Sequence, residues 1–280
     1  MTISQKISNY IKITRPVNVI ITFIVVVVAI FISQKEVTNT IFIILASISA
    51  SLTAAAGNII NDILDLETDK ISHPDRALVV DKLSKKEAWF YYLILNCASI
   101  IIAASLNSFL LIIVISVILL LFLYSVYLKR LPLIGNFTIA IITGLTFIYG
   151  GFAVNNPTAA IVPALFAFLI NLIREIVKDI QDIEGDAKLN FKTFPILFGI
   201  KRSQQLIVLI SVLLTGFTFY PFLTQLYNIE YFLIIMTLVN PLLVLSIKIL
   251  FDKKENRYLI VSRILKLNMV LGLIAIWFGK

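Results

Sequence analysis

Long apolar runs separated by short polar segments dominate this chain. Stretches at 17–32, 40–60, 89–104, 109–127, 134–152, 159–176, 206–222, 231–249 and 259–278 carry almost no charge. Each lies near the roughly 20 residues that a helix needs to cross a hydrocarbon core. Isoleucine and valine are abundant in them, as they are in buried strands. The runs are nevertheless longer than ordinary strands, and a helix satisfies its own backbone in lipid where an open strand does not. The pattern predicts an all-α, polytopic membrane protein with nine transmembrane helices in one domain over residues 1–280. The first run is short, so its helix is expected to begin before Pro16.

Charge placement orients these spans. Nine crossings put the N-terminus and the segments 61–88, 128–133, 177–205 and 250–258 on one side. That side holds 22 of the 24 Lys and Arg residues; the other keeps Lys35 and Lys280. Positive loops mark the cytoplasmic side. The net charge of +8 therefore reflects orientation in a cell membrane and not a nucleic-acid partner. Composition agrees: 59% of the 280 residues are hydrophobic, 14% are charged, and mean hydropathy is +0.97. The single cysteine, Cys97, and single histidine, His73, exclude an internal disulfide and His- or Cys-rich metal centres. Lys6, Lys12 and Arg15 precede the first run without a small-residue cleavage motif, so the first helix is expected to be retained.

The acids are concentrated. Twelve of the 16 lie in 62–87 and 175–186, on the cytoplasmic side. Within them Asp-x2-Asp-x3-Asp occurs twice, as Asp62, Asp65, Asp69 and as Asp179, Asp182, Asp186. The copies are offset by 117 residues at every aspartate (62 to 179, 65 to 182, 69 to 186), which suggests an internal repeat. On a continuous helix these spacings share one face. The first face adds Asn58 and Asn61; the second adds Asn171, Arg174, Glu175 and Lys178. The bland reading is that such residues merely end a helix at headgroup level. Two copies at one spacing, each flanked by amides and cations, favour function, as do ionisable groups near membrane depth. Clustered carboxylates of this kind suit Mg²⁺, a hard ion that commonly shares oxygen ligands with substrate phosphates. The chemistry indicated is that of a membrane enzyme acting on a diphosphate.

A third segment, Tyr124 to Asn136, brings Tyr127, Lys129 and Arg130 to the same side. The cations either anchor the helix or bind phosphate oxygens; Arg76 and Lys178 lie closer to the aspartate motifs and are better placed for phosphate. Trp89, Trp277, Tyr10, Tyr91 and Tyr92 read as interface aromatics, and His73 as a loop residue. Gly144, Gly150 and Gly151 serve either close helix packing or a lipid-tail groove. A cation transporter would also use acids, but its sites generally sit near the bilayer midplane; here they cluster at helix ends.

Taken together, Asn61-Asp62-x2-Asp65-x3-Asp69, Pro74-x-Arg76, Lys129-x2-Pro132-x2-Gly135-Asn136, Asp179-x2-Asp182-x3-Asp186, Thr193-x-Pro195 and Gly199 resemble the UbiA superfamily of intramembrane prenyltransferases. The likeness covers nearly the whole chain and includes Arg15-Pro16-x-Asn18. It implies nine helices around a central cavity, with the six aspartates catalytic and holding Mg²⁺. It also implies that Asn58, Asn61, Arg76, Tyr124, Tyr127, Lys129, Arg130, Asn171, Arg174 and Lys178 bind substrate. Arg174-Glu175-x2-Lys178-Asp179 is most similar to the archaeal branch that builds ether lipids. The donor implied is geranylgeranyl diphosphate and the acceptor geranylgeranylglyceryl phosphate, both entering from membrane lipid. An aromatic acceptor, as in quinone or haem biosynthesis, is the alternative. Relatives often carry glycine near position 190 or 191; this chain has Asn190 and Phe191.

Overall fold

The computed structural model describes residues 3–34, 39–72, 74, 76–80 and 82–280. Lys35, Glu36 and His73 lie outside the described residues. Among the described residues there is no strand, and nine helices are long and apolar enough to cross a membrane. The expected all-α, nine-span pattern is therefore present. The helices are α1 (Ile3–Ile13), α2 (Pro16–Ser33), α3 (Thr40–Leu64), α4 (Leu66–Ser72), α5 (Lys85–Leu106), α6 (Ser108–Val126) and α7 (Ile134–Ala153). They continue as α8 (Ile161–Gln181), α9 (Ile183–Lys188), α10 (Phe194–Phe198), α11 (Ile200–Leu223), α12 (Ile229–Ile234), α13 (Asn240–Leu250) and α14 (Arg257–Gly279). The chain forms two compact units. One comprises Met1–Lys129 and Leu145–Thr158, the other Arg130–Gly144 and Ala159–Lys280.

In the first unit α3 packs on α2, α5 and α6. Its stretch from Ala46 to Gly57 is rich in Ala, Ser and Thr, and small side chains let helix backbones approach. Ser49 and Ser99 exchange hydroxyl-to-carbonyl hydrogen bonds (3.0 and 2.7 Å), and the Thr53 and Ser99 hydroxyls lie 2.7 Å apart. This knot fixes α3 against α5 inside an otherwise apolar layer. A Cβ on Gly150 would stand 2.4 Å from the Ala29 Cβ, and one on Gly57 would stand 2.7 Å from Leu121 Cδ1. Gly150 is thus a packing glycine.

The first span does not begin before Pro16. Arg15 takes φ 54°, which breaks the chain into α1 and α2, and Pro16 opens α2. Proline suits that position because the first helical N–H has no partner in any case. The Asn58 amide donates to the Thr14 carbonyl at 2.8 Å and pins the break from α3. Helix α1 buries Asn9 and Ile13 and exposes Ile7 and Ile11, one turn apart. Helix α5 starts at Lys85, ahead of the apolar run, because Ser84 and Glu87 form a reciprocal capping box.

In the second unit α8 is the core element. Its Ile173, Ile176, Val177 and Ile180 share one buried cluster with Ile207 and Leu214 of α11, Leu243 and Leu250 of α13, and Val261 and Leu265 of α14. A Cβ on Gly144 would lie 3.0 Å from the Ala164 carbonyl oxygen, so this glycine also serves helix packing. One span is interrupted: Ile235–Val239 forms a π turn in which the Asn240 N–H reaches the Ile235 carbonyl. Pro241 follows directly, and its ring cannot be accommodated in an unbroken α-helix. Helix α11 begins at Ile200, six residues before its apolar run, after Gly199 turns the chain at φ 86°.

Candidate active site

Both acidic motifs sit where a long helix stops. Helix α3 ends at Leu64 with Asp65 as its C-cap, and α8 ends at Gln181 with Asp182 as its C-cap. The two capping residues have almost the same backbone, φ −94°, ψ 9° and φ −95°, ψ 7°. The hydrogen bonds repeat as well. Asp65 N–H donates to Asn61 and Asp69 N–H to Asp65 (2.8 and 2.7 Å); Asp182 donates to Lys178 and Asp186 to Asp182 (2.9 and 3.0 Å). The repeat suggested by the 117-residue offset is thus present in the backbone. The expectation of one continuous helix face is corrected: each motif bends at its middle aspartate, because ψ near 0° leaves the helical range.

In the first unit the motif is saturated with cations. Arg15 Nη2 donates to Asp62 Oδ1 at 2.5 Å, and Arg76 Nη1 donates to the same oxygen at 3.1 Å. Arg76 also donates to Asp69, and Lys129 Nζ donates to Asp65. Three carboxylates therefore meet three cations. Asp62 and Asp69 are buried, and isolated charges there would be strongly unfavourable. Burial pushes the Asp69 carboxyl up to about 6, against the opposing pull of Arg76, with Asp65 and Asp62 adding to the rise. Asn61 is half-buried on the same helix. The amide of Asn58 is engaged by Thr14 and does not meet the aspartates. Tyr124 is half-buried and Tyr127 exposed.

In the second unit Asn136 Nδ2 donates to Asp179 Oδ2 at 2.8 Å. Glu175 is buried and accepts from Arg174 Nη1 at 3.1 Å and from Lys178 Nζ at 3.0 Å on each oxygen. Asp182 and Asp186 are half-buried. Asn171 is buried on the same helix. Arg130 lies over the Phe191 ring, 5.3 Å from its centroid, so its guanidinium is stacked and not placed on a carboxylate. The Arg130 carbonyl accepts from Lys192 N–H at 3.0 Å and ties down the segment after the motif. In that segment Asn190 takes φ 58°. Asparagine visits the left-handed region more readily than most residues, so Asn190 meets the backbone demand that a glycine would meet.

Arg15 and Asn136 are functional candidates that the spacing of acids did not single out. The signal for each was present. Arg15 stands before a helix-opening proline, and Asn136 follows Gly135 at the start of α7. Among the described residues no three carboxylates come close enough to cage a metal by themselves.

Among the described residues, nine apolar spans and two backbone-equivalent aspartate motifs define a polytopic membrane protein with acidic clusters at two helix ends. The UbiA prenyltransferase family model matches residues 22–269, and the chain belongs to that family: it is a multi-pass membrane prenyltransferase. The cation-transporter reading falls with that membership. Within the family the chain is similar to digeranylgeranylglyceryl phosphate synthases. The one from Methanosphaera stadtmanae is 34% identical over 272 residues, covering 96% of this chain and 98% of that one. A solved structure of digeranylgeranylglyceryl phosphate synthase in membranes superposes with TM-score 0.80 at 30% identity, covering 98% of each chain. A UbiA homolog from Archaeoglobus fulgidus, solved with GPP and Mg²⁺, shares the fold at TM-score 0.69 and 20% identity, covering 96% of this chain and 99% of that one.

Proposed function

We propose that this enzyme transfers a geranylgeranyl group from geranylgeranyl diphosphate to the free hydroxyl of geranylgeranylglyceryl phosphate. The reaction is Mg²⁺-dependent and runs at the cytoplasmic side of the cell membrane. The observation that carries the reading is full-length identity of 34% to a digeranylgeranylglyceryl phosphate synthase, together with a twice-repeated aspartate bend. The positive segments around both motifs support the cytoplasmic assignment.

The donor set fits Mg²⁺. It consists of carboxylate oxygens, and Mg²⁺ is usually held by one or two carboxylates plus substrate phosphates and not by an all-protein cage. Asp62, Asp65, Asp69, Asp179, Asp182 and Asp186 would hold the ions, which when bound neutralise charge on the diphosphate oxygens.

The remaining chemistry belongs to the protein. Arg76, Lys129 and Lys178 lie beside the motifs and supply preorganised positive charge to the departing diphosphate. The bond between the allylic carbon and the bridging oxygen breaks, and its electron pair leaves with the diphosphate. The ring faces of Tyr124 and Tyr127 suit the allylic cation so formed. The glycerol oxygen closes the new ether bond, and its proton passes to a phosphate oxygen or an aspartate. Apolar surroundings keep water from competing for the cation.

Purified protein given geranylgeranyl diphosphate, Mg²⁺ and a panel of glyceryl and aromatic acceptors should yield the diether phosphate by mass. A prenylated aromatic product with no diether would favour the alternative acceptor. Asp62→Ala and Asp182→Ala should each abolish turnover, as should chelation of free metal. Near-normal activity in either variant would remove that motif from the reaction.

A further inference from the structure

Helix α11 starts outside its apolar run, and the corner it forms there is both basic and apolar. The run opens at Leu206, whereas the chain turns at Gly199 (φ 86°) and becomes helical at Ile200. A Cβ on Gly199 would meet nothing within 4 Å, so the corner is open on its outside. Leu197, Phe198 and Ile200 are exposed around it, and the exposed Lys201 and Arg202 follow directly. The Phe194 ring braces Phe198, with centroids 4.7 Å apart. The end of α13 joins the same corner, because Gln204 Nε2 donates to the Leu250 carbonyl at 3.0 Å. Lys201 lies one turn before Gln204 and so shares its helix face. Phe251 comes next after Leu250 and is 55% exposed; Lys248, Lys253 and Lys254 are exposed as well.

Two properties set this corner apart. Residues 200–206 and 248–257 hold six Lys and Arg against Asp252 and Glu255, so the joined segments are strongly basic and attract anions. The exposed Leu197, Phe198, Ile200 and Phe251 lie outside the apolar runs, among cations, where neither hydrocarbon nor bulk water suits the whole group. Phe and Leu beside Lys and Arg suit the boundary between headgroups and acyl chains.

We propose that this corner is a docking surface for anionic membrane lipid. Phe198 and Phe251 sit at the boundary, and Lys201, Arg202, Lys253 and Lys254 meet headgroup phosphates. Their long side chains can lie along apolar surface while the charged ends reach the phosphates. The surface borders the second aspartate motif: α10 packs on α8 and α9, and Phe191 N–H returns to the Asp186 carbonyl at 3.0 Å. The docking does not depend on which acceptor the enzyme prenylates.

The test places the full-length enzyme in nanodiscs, with the native exposed thiol removed by Cys97→Ser and a bimane label attached at the corner through Leu197→Cys. Phosphatidylglycerol or phosphatidylcholine, each spin-labelled near the headgroup, is added in increasing proportion to an otherwise zwitterionic disc. The labelled phosphatidylglycerol should quench at a mole fraction about tenfold lower, and high salt should shrink the difference. Lys201→Gln with Arg202→Gln should remove most of it, since each cation near an anionic surface contributes up to about fivefold. Lys253→Gln with Lys254→Gln should act in the same direction and serves as the second variant if the first misfolds. Equal quenching by the two lipids, or a preference that survives both pairs of substitutions, overturns the proposal. No quenching by either lipid would give the face to another occupant, such as a second copy of the chain, and overturn it as well.

Discussion

Arg15 offers the most direct test of the charge network on the first motif. Its guanidinium contacts Asp62 at 2.5 Å, yet its side chain is 34% exposed against 7% for Asp62. At that distance the direct attraction is about 7 kcal/mol for an effective dielectric of 20. Desolvation and solvent screening offset most of it, and Arg76 still holds the same oxygen at 3.1 Å. A net contribution of about 1–2 kcal/mol remains, above an exposed pair and below a fully buried one. Arg15→Gln should therefore lower the thermal midpoint of the metal-free protein by about 2–8 °C, taking roughly 2–4 °C per kcal/mol for chains of this size. In an Asp62→Asn background the same change should cost much less, since the carboxylate it serves is gone. The assay is a double-mutant cycle by thermal unfolding in one detergent. Equal losses in both backgrounds would show that the ion pair contributes nothing and that Arg15 matters only through the turn at φ 54°.

Further outcomes are expected. Asp69 titrates near 6, so prenyl transfer should fall as pH drops through 6, and more Mg²⁺ should move that limb to lower pH; pH profiles at two Mg²⁺ levels check this. The folded value lies above the unfolded 3.8, so the metal-free protein should lose stability as pH rises from about 4 through 6, and Asp69→Asn should flatten that dependence in unfolding measured against pH. Asn136→Leu removes the amide from Asp179 and should reduce turnover about 10–100-fold with little loss of folded protein, as for other groups that orient ligands, measured by steady-state kinetics. Gly150→Val should lower the thermal midpoint by several degrees, because its Cβ would meet the Ala29 Cβ at 2.4 Å, whereas Asn190→Gly should be tolerated.

The spans were legible because lipid imposes one constraint on every residue of a run, and that constraint shows as uninterrupted apolarity. The aspartate motifs were legible because carboxylates are rare in such surroundings. The bends at Asp65 and Asp182 were not, since spacing of three and four suits a straight helix equally well. The separation of α1 from α2 was hidden for a similar reason. The run before Pro16 alternates Ile with Lys, Ser and Asn, and the break depends on one dihedral at Arg15 and on an amide from α3. The pairing of Arg15 with Asp62 was not legible because the two come from distant segments, 47 residues apart.

The organic counter-ions on the first motif have a consequence for the life of the enzyme. Because guanidinium and ammonium groups already balance Asp62, Asp65 and Asp69, the newly made chain can insert and wait without magnesium. On the reading proposed above, an ion would then arrive together with the diphosphate, and an idle enzyme would be kept from squandering activated isoprenoid.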